Sequence, residues 1–388
     1  MGERTYLDWN ATAPLRAEAR AAMLEACDLT GNPSSVHQEG RAARAAVEQA
    51  RRDVAALLAT DPRNVTFTSG GTEANVLALT PGIAVRGDHL ARDRLLVSAI
   101  EHPSVRSGGR FTAGAIEEVP VTPEGLVELA ALERFLARGG RPLVSVMLAN
   151  NETGAIQPIA AVAELTHRAG GLLHVDAVQA AGKIPCDINA LGADLVAISA
   201  HKLGGPKGVG ALIRRDEEVH VGMPLIPGGG QERGTRAGTE NVAGIVGFGA
   251  AAAAARAGLE IEQQRSAALR ESLEAGLRTI SPDAVIFAAE VARLPNTTLF
   301  AVPGIKAETA LISLDLAGVA VSSGSACSSG KVAASHVLHA MGVSTDLARG
   351  ALRISLGFST TDEEVKSFLQ AWKKCATALP KRSHGIAA

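Results

Sequence analysis

Asp176 ends the apolar run Leu172–Val175, and Lys202 follows the apolar run Leu195–Ile198 by way of Ser199, Ala200 and His201. One strand–helix–strand step separates them. If the two runs are neighbouring strands, both side chains sit at one rim of a sheet. A lysine amine beside a carboxylate suits the chemistry of pyridoxal phosphate (PLP). The amine can bond the cofactor's aldehyde, and the carboxylate can keep its pyridine nitrogen protonated so that the ring accepts electrons. A surface salt bridge uses the same two residue types, so the pair alone is weak evidence. Its surroundings narrow the choice. Ser199 and His201 offer polar groups where a phosphate could sit, and the glycines after Lys202 (Gly204, Gly205, Gly208) let the chain turn past a bulky ligand.

Other segments that follow strands carry related chemistry. Ser69, Gly70, Gly71, Thr72 and Glu73 lead from a strand into a helix. A glycine turn there presents backbone N–H groups and the positive end of a helix dipole to an anion. The same residues also serve as an ordinary helix cap. His102 follows the run that begins at Arg94; it could stack on a flat ring or carry a proton, although a lone histidine is more often a structural hydrogen-bonder. The amides of Asn150 and Asn151 could orient a ligand, or simply form a turn with Glu152, Thr153 and Gly154.

Cys327 stands apart. No large apolar side chain follows Val321 in the stretch up to Gly330, so this segment reads as an exposed, mobile loop. A structural cysteine prefers burial, which makes Cys327 the candidate nucleophile. A nearby cation or proton acceptor, such as His102, would help its thiol ionise. Cys27 and Cys186 sit among apolar or turn residues and read as structural. Cys375 lies in an amphipathic C-terminal helix and reads as incidental.

The elements that must hold these groups alternate. Strands are predicted at Val65–Thr68, Arg94–Ser98, Leu143–Leu148, Leu172–Asp176, Leu195–Ser199 and Val209–Ile213, with helices at Thr72–Leu79, Leu126–Leu136 and Ile159–Ala169 between them. This pattern implies an α/β fold with a mostly parallel sheet covered on both faces. Residues 240–280 read as a long helix. Strands at Thr297–Val302 and Leu352–Leu356 and helices at Glu308–Leu316 and Glu363–Cys375 then make a smaller α+β unit. The expected division is 15–258 for the large domain, with 1–14 and 259–388 forming the small one. The tail from Pro380 is expected to fray.

Bulk properties limit the partners. A net charge of -2 and the absence of a basic block argue against nucleic acid or an anionic membrane. Four scattered cysteines make neither a zinc motif nor a disulfide framework. The apolar run Val242–Ala255 is too short and alanine-rich to span a bilayer, and the N-terminus lacks a signal-peptide pattern, so a cytoplasmic protein is expected. No GxGxxG follows the first strand, which disfavours a dinucleotide-binding protein.

The segments SGGTEAN, EHPSV, NNETG, HVDAVQ, SAHKLGGPKGVGAL, GGGQERGTRAGTEN, SSGSACSSG and LRISLG resemble, in order and spacing, those of the NifS/IscS cysteine desulfurases. The resemblance runs from Leu7 to Phe358 and implies the PLP fold type I architecture. It implies that Lys202 carries PLP, Asp176 meets the pyridine nitrogen, Gln179 the ring oxygen, and His102 stacks on the ring. Gly71, Thr72, Ser199 and His201 would hold the phosphate, and Thr239 would reach the phosphate of the other subunit of a homodimer. Asn151 and Arg353 would position substrate, the guanidinium binding its carboxylate. Cys327 would take sulfur from L-cysteine as a persulfide and pass it to an iron–sulfur scaffold or sulfur carrier. It is also the expected ligand of a transient [2Fe-2S] cluster. The loop around Cys327 resembles the branch with an extended loop. Competing readings are a selenocysteine lyase or aminotransferase on the same fold, or a non-catalytic scaffold. A plain aminotransferase has no use for a cysteine loop, and a scaffold has no need of the combined Lys202, Asp176, His102 and Cys327.

Overall fold

The structure is a computed structural model that describes residues 4–85, 88, 90–324 and 335–379. Seven strands form the central sheet: β1 (Val65–Thr68), β2 (Arg94–Ser98), β3 (Ile116–Val119), β4 (Pro142–Met147), β5 (Leu172–Asp176), β6 (Leu195–Ser199) and β7 (Gly210–Arg214). Their spatial order is β1-β7-β6-β5-β4-β2-β3. All neighbouring pairs are parallel except those made by β7, which runs against both β1 and β6. Every residue of β4, β5 and β6 is buried. That is what a parallel sheet covered on both faces requires, and it explains why these segments read as unbroken apolar runs. The α/β class with a mostly parallel sheet is as expected.

The covering layers exploit small residues. The helix Val242–Ile280 packs across Ala17–Cys27 and Gln38–Leu57. A Cβ on Gly249 would lie 2.5 Å from the Ala50 Cα, so only glycine permits this approach. The long helix expected over 240–280 runs from Val242 to Ile280. The apolar run beginning at Val242 is the first part of a helix of 39 residues, long and apolar enough by length and composition to cross a membrane. Ile245, Phe248, Ala251, Ala252 and Ala255 are instead buried in the main core, and Leu269, Leu273 and Leu277 in a second core.

That second core lies under a four-stranded antiparallel sheet: β8 (Val285–Ile286), β9 (Thr297–Ala301), β10 (Ser322–Ser323) and β11 (Leu352–Ser355), in the order β8-β9-β11-β10. Phe300 and Trp372 meet edge to face within it. The helix Asp362–Ala378 that closes it starts with a capping box between Thr361 and Glu364. The N-terminal segment joins this unit, because Thr5–Tyr6 pairs with Val319–Ala320 and Asp8 bridges to Ser355. The boundaries of the predicted elements differ by a residue or two, with two larger exceptions: the last helix runs on to Ala378, three residues past the expected Cys375, and the helix after Val127 starts late. The helix predicted from Leu126 begins at Leu129, because Val127 is drawn into a β-bridge with Val121. The tail from Pro380 lies outside the described residues.

Candidate active site

The carboxyl ends of β1, β2, β4, β5 and β6 face one cavity of about 280 Å³. After β1 the chain turns into the helix Gly71–Ala78. Space demands glycine at 71, since a Cβ there would meet the Val178 Cγ2 at 2.7 Å. Glu73 holds the turn: its Oε2 accepts from the Ser69 N–H at 2.8 Å, and its Oε1 accepts from Arg236 Nε at 2.9 Å. Gly71 and Thr72 thus line the cavity with a helix N-terminus behind them.

Asp176 ends β5, beside β6, which leads to Lys202. The Asp176 Oδ1 accepts from the Val178 N–H at 2.9 Å, and its Oδ2 accepts from Asn75 Nδ2 at 2.8 Å. Asn75 also donates to Ser104 Oγ at 2.9 Å. The Ser104 hydroxyl lies 2.8 Å from His102 Nδ1, which accepts from the Ser104 backbone N–H at 3.1 Å. An Nδ1 that accepts from a backbone N–H leaves the proton of the neutral ring on Nε2. Burial lowers the His102 pKa most; Asp176 opposes that, and Lys202 adds to it. Next to it, Glu101 is fully buried. Its Oε1 accepts from Ser98 Oγ at 2.6 Å and from the Met147 N–H at 2.7 Å, while Oε2 has no partner among the described residues. Burial, with a smaller push from Asp176, raises its pKa to about 8, so Glu101 is an uncharged acid at neutral pH.

Lys202 Nζ donates to the carbonyl oxygens of Asn10 at 2.5 Å and Ala11 at 2.9 Å. His201 Nδ1 lies 3.2 Å from Thr12 Oγ1. Burial and then the lysines 202, 207 and 183 push the His201 pKa down to about 4, keeping the ring neutral. Gln179 lines the cavity, but its Nε2 is engaged by the Asn10 carbonyl oxygen at 2.9 Å. From the second sheet comes Arg353, on β11. It donates to the Asn151 carbonyl oxygen at 3.0 Å and to Asp8 at 2.7 Å, and its buried Nε has no partner among the described residues.

The structure therefore brings Gly71, Thr72, His102, Asn151, Asp176, Gln179, Ser199, His201, Lys202 and Arg353 around one cavity. Thr239 is not among them. It lines a separate cavity of about 260 Å³ with Thr68, Ser69 and Gly238. Cys327 lies outside the described residues, but the chain on either side of it is described. Ser322 on β10 pairs with Arg353. Ser335 Oγ donates to the buried Glu152 Oε2 at 2.5 Å, and a Cβ on Gly324 would meet that same oxygen at 2.8 Å. Gly324 and Ser335, on either side of the segment 325–334, thus both meet Glu152, the residue after Asn151. Burial raises the Glu152 pKa to about 7 against the hydrogen bond from Ser335 and the charge of Arg353.

The remaining cysteines divide. Cys186 and Cys375 are buried, and burial raises both thiols, Cys186 to about 12. Cys27 is exposed at the end of its helix, against the structural role expected from its neighbours: on that helix only Ala19 and Ala26 are buried. Among the described residues, no group of three His, Cys, Asp or Glu side chains is placed to hold a metal ion. Sequence reasoning missed Asn10, Ala11, Asn75 and Ser104. For Asn75 a signal existed, because it lies four residues after Gly71 and so on the same helix face. Asn10 gave none, being distant in sequence from every group it touches in the cavity.

The donor set fits PLP: an amine, a carboxylate one strand away, a neutral imidazole, and a helix N-terminus with hydroxyls. Arg353, whose buried Nε has no partner among the described residues, suits a carboxylate beside them. The family model of class-V aminotransferases matches residues 5–368. The chain is 42% identical over 374 residues to a cysteine desulfurase of Cereibacter sphaeroides, covering 95% of this chain and 94% of the relative. It is 40% identical over 382 residues to cysteine desulfurase IscS of Dictyoglomus turgidum, covering 96% and 95%. A solved NifS-like protein from Rickettsia africae superposes with a TM-score of 0.86 at 36% identity, covering 97% of this chain and all of that one (100%). The chain belongs to the class-V aminotransferase family, a PLP fold type I group, and within it to the NifS/IscS-type cysteine desulfurases.

Proposed function

We infer that this chain removes sulfur from L-cysteine, releases L-alanine and retains the sulfur as a persulfide on Cys327. The observation that carries this reading is the convergence of Lys202, Asp176, His102 and Arg353 on one cavity within a cysteine desulfurase fold. Bound PLP would supply an aldehyde and an electron-accepting ring there. Lys202 would hold the cofactor and, as a free amine, take the α-proton. Asp176 would keep the pyridine nitrogen protonated, and Gln179 and His102 would hold the ring. Gly71, Thr72, Ser199 and His201 would hold the phosphate. Arg353 and Asn151 orient the substrate carboxylate.

The sulfur step belongs to Cys327. Its thiolate attacks the substrate sulfur, a new S–S bond forms, and the carbon–sulfur bond breaks. The carbon takes up a proton to become the methyl group of alanine. Cys327 stands three positions after Gly324, a span of at most about 11 Å, and Gly324 borders Glu152, next to the cavity residue Asn151, which supports a thiol within range of the cavity.

Further parts of the reading follow from it. The protein works as a homodimer, which agrees with Thr239 lining a cavity of its own rather than the one around Lys202. The division into 15–258 and the remainder separates the PLP-binding unit from the one carrying Cys327. The persulfide passes to an iron–sulfur scaffold or sulfur carrier in the cytoplasm, and Cys327 transiently shares a [2Fe-2S] cluster as cargo. A Cys327→Ser protein tests the core of this: it should retain the visible absorbance of bound PLP and its response to cysteine, yet stop forming alanine. Alanine and sulfide at the normal rate would contradict the assignment.

A further inference from the structure

The chemistry above leaves one charged side chain beside the cavity unused. Lys183 follows Gly182, which adopts φ +77°, and is part-buried, lining a second small cavity together with Lys202. Its Nζ donates to the Gln179 carbonyl oxygen at 3.0 Å, to Gln179 Oε1 at 2.9 Å and to Asn10 Oδ1 at 3.3 Å. An ammonium has three N–H groups, and all three are used. With its Oε1 held this way, Gln179 turns its Nε2 onto the Asn10 carbonyl oxygen, the oxygen that Lys202 Nζ also reaches. Two amines are therefore linked through one residue of the N-terminal segment and one glutamine.

The groups that act on Lys183 are mostly cationic. Lys202 and Arg353 repel its charge, Cys186 is a neutral thiol, and Asn10 and Gln179 are neutral. Arg16, which lines a second small cavity together with both lysines, is paired with Glu262 at 2.6 Å. Among the described residues no carboxylate pairs with Lys183. Burial first, then Lys202 and Arg353, push its pKa down to about 7. Repulsion is mutual, so positive charge on either nitrogen disfavours positive charge on the other. An ordinary lysine, with a pKa of about 10.4, is a poor base at neutral pH, and a neighbouring cation is one physical remedy.

We propose that Lys183 is a positioning residue for Lys202: it sets the orientation of Gln179 and Asn10 and keeps positive charge behind the Lys202 nitrogen, so that this nitrogen gives up its proton more readily. The inference rests on the reading of Lys202 as the cofactor lysine.

The test is a pH titration of the visible absorbance of the PLP-loaded protein. Lys183→Met should move the midpoint upward by on the order of one unit, a change of about tenfold in proton affinity. Lys183→Arg, which keeps the charge, should titrate close to the wild type. Lys183→Gln should reproduce the methionine variant, and it carries the test if that variant fails to hold PLP. A methionine or glutamine variant that titrates like the wild type overturns the proposal. So does an arginine variant that shifts as far as they do, because the effect would then be one of packing. Lys202→Ala separates the two layers. If it loses the linked chromophore, the underlying reading stands whatever Lys183 does; if the chromophore survives, that reading falls first.

Discussion

The two walls of the cavity are built in opposite ways. The wall on the large sheet is local: Gly71, His102, Asp176 and Lys202 each stand within a few residues of a strand end, and β5 and β6 are neighbours. The facing wall is assembled from far apart. Asn10 and Ala11 come from the N-terminal segment and Arg353 from the second sheet, and the Arg353–Asp8 pair joins residues 345 positions apart. A parallel sheet delivers cofactor chemistry to one rim as a consequence of its topology. The substrate side exists only once the second sheet and the N-terminus have closed over that rim. Damage to the first wall should abolish chemistry, and damage to the second should mainly loosen substrate.

Lys202→Ala strikes the local wall and carries the largest effect. Loss of the lysine removes the covalent anchor and the base, and kcat should fall by at least about 10³-fold. Reduction with borohydride followed by peptide mapping would check it; a cofactor adduct on another lysine would break the comparison. Arg353→Leu strikes the distant wall. It should raise KM for cysteine by roughly 10- to 100-fold, as expected for a charge-assisted hydrogen bond worth about 1.5–3 kcal/mol. The cofactor absorbance should remain, and a loss of kcat with KM unchanged would contradict the division.

Glu101 gives the smallest and sharpest test of the local wall. Its folded-state pKa, about 8, lies above its ordinary value of 4.5. The folded protein therefore binds a proton that the unfolded chain has released, and stability falls as pH rises through this window. In Glu101→Gln that loss should be absent. The variant's melting temperature should gain on the wild type between about pH 4.5 and 8, by on the order of a few °C. Parallel pH profiles would show that Glu101 is charged in the folded protein.

The contrast between the walls also explains what the sequence disclosed. Apolar runs ending in Asp176, or leading to Lys202, named both the sheet and its chemical rim, because strand order and side-chain position are coupled there. Arg353 was recognised only through the resemblance of LRISLG to a family segment; nothing local distinguishes it from any arginine on a strand. Asn10 and Ala11 act through backbone carbonyls, which every residue type possesses, so composition holds no trace of them. The length of the helix that starts at Val242 was legible, while its burial depends on Gly249 meeting Ala50, a contact between distant parts of the chain.

Mass spectrometry of the protein after brief treatment with L-cysteine tests the central claim most directly. The peptide containing Cys327 should gain the mass of one sulfur atom as one equivalent of alanine appears. Sulfur found instead on Cys27, Cys186 or Cys375, or alanine released with no sulfur retained on the chain, would contradict the account.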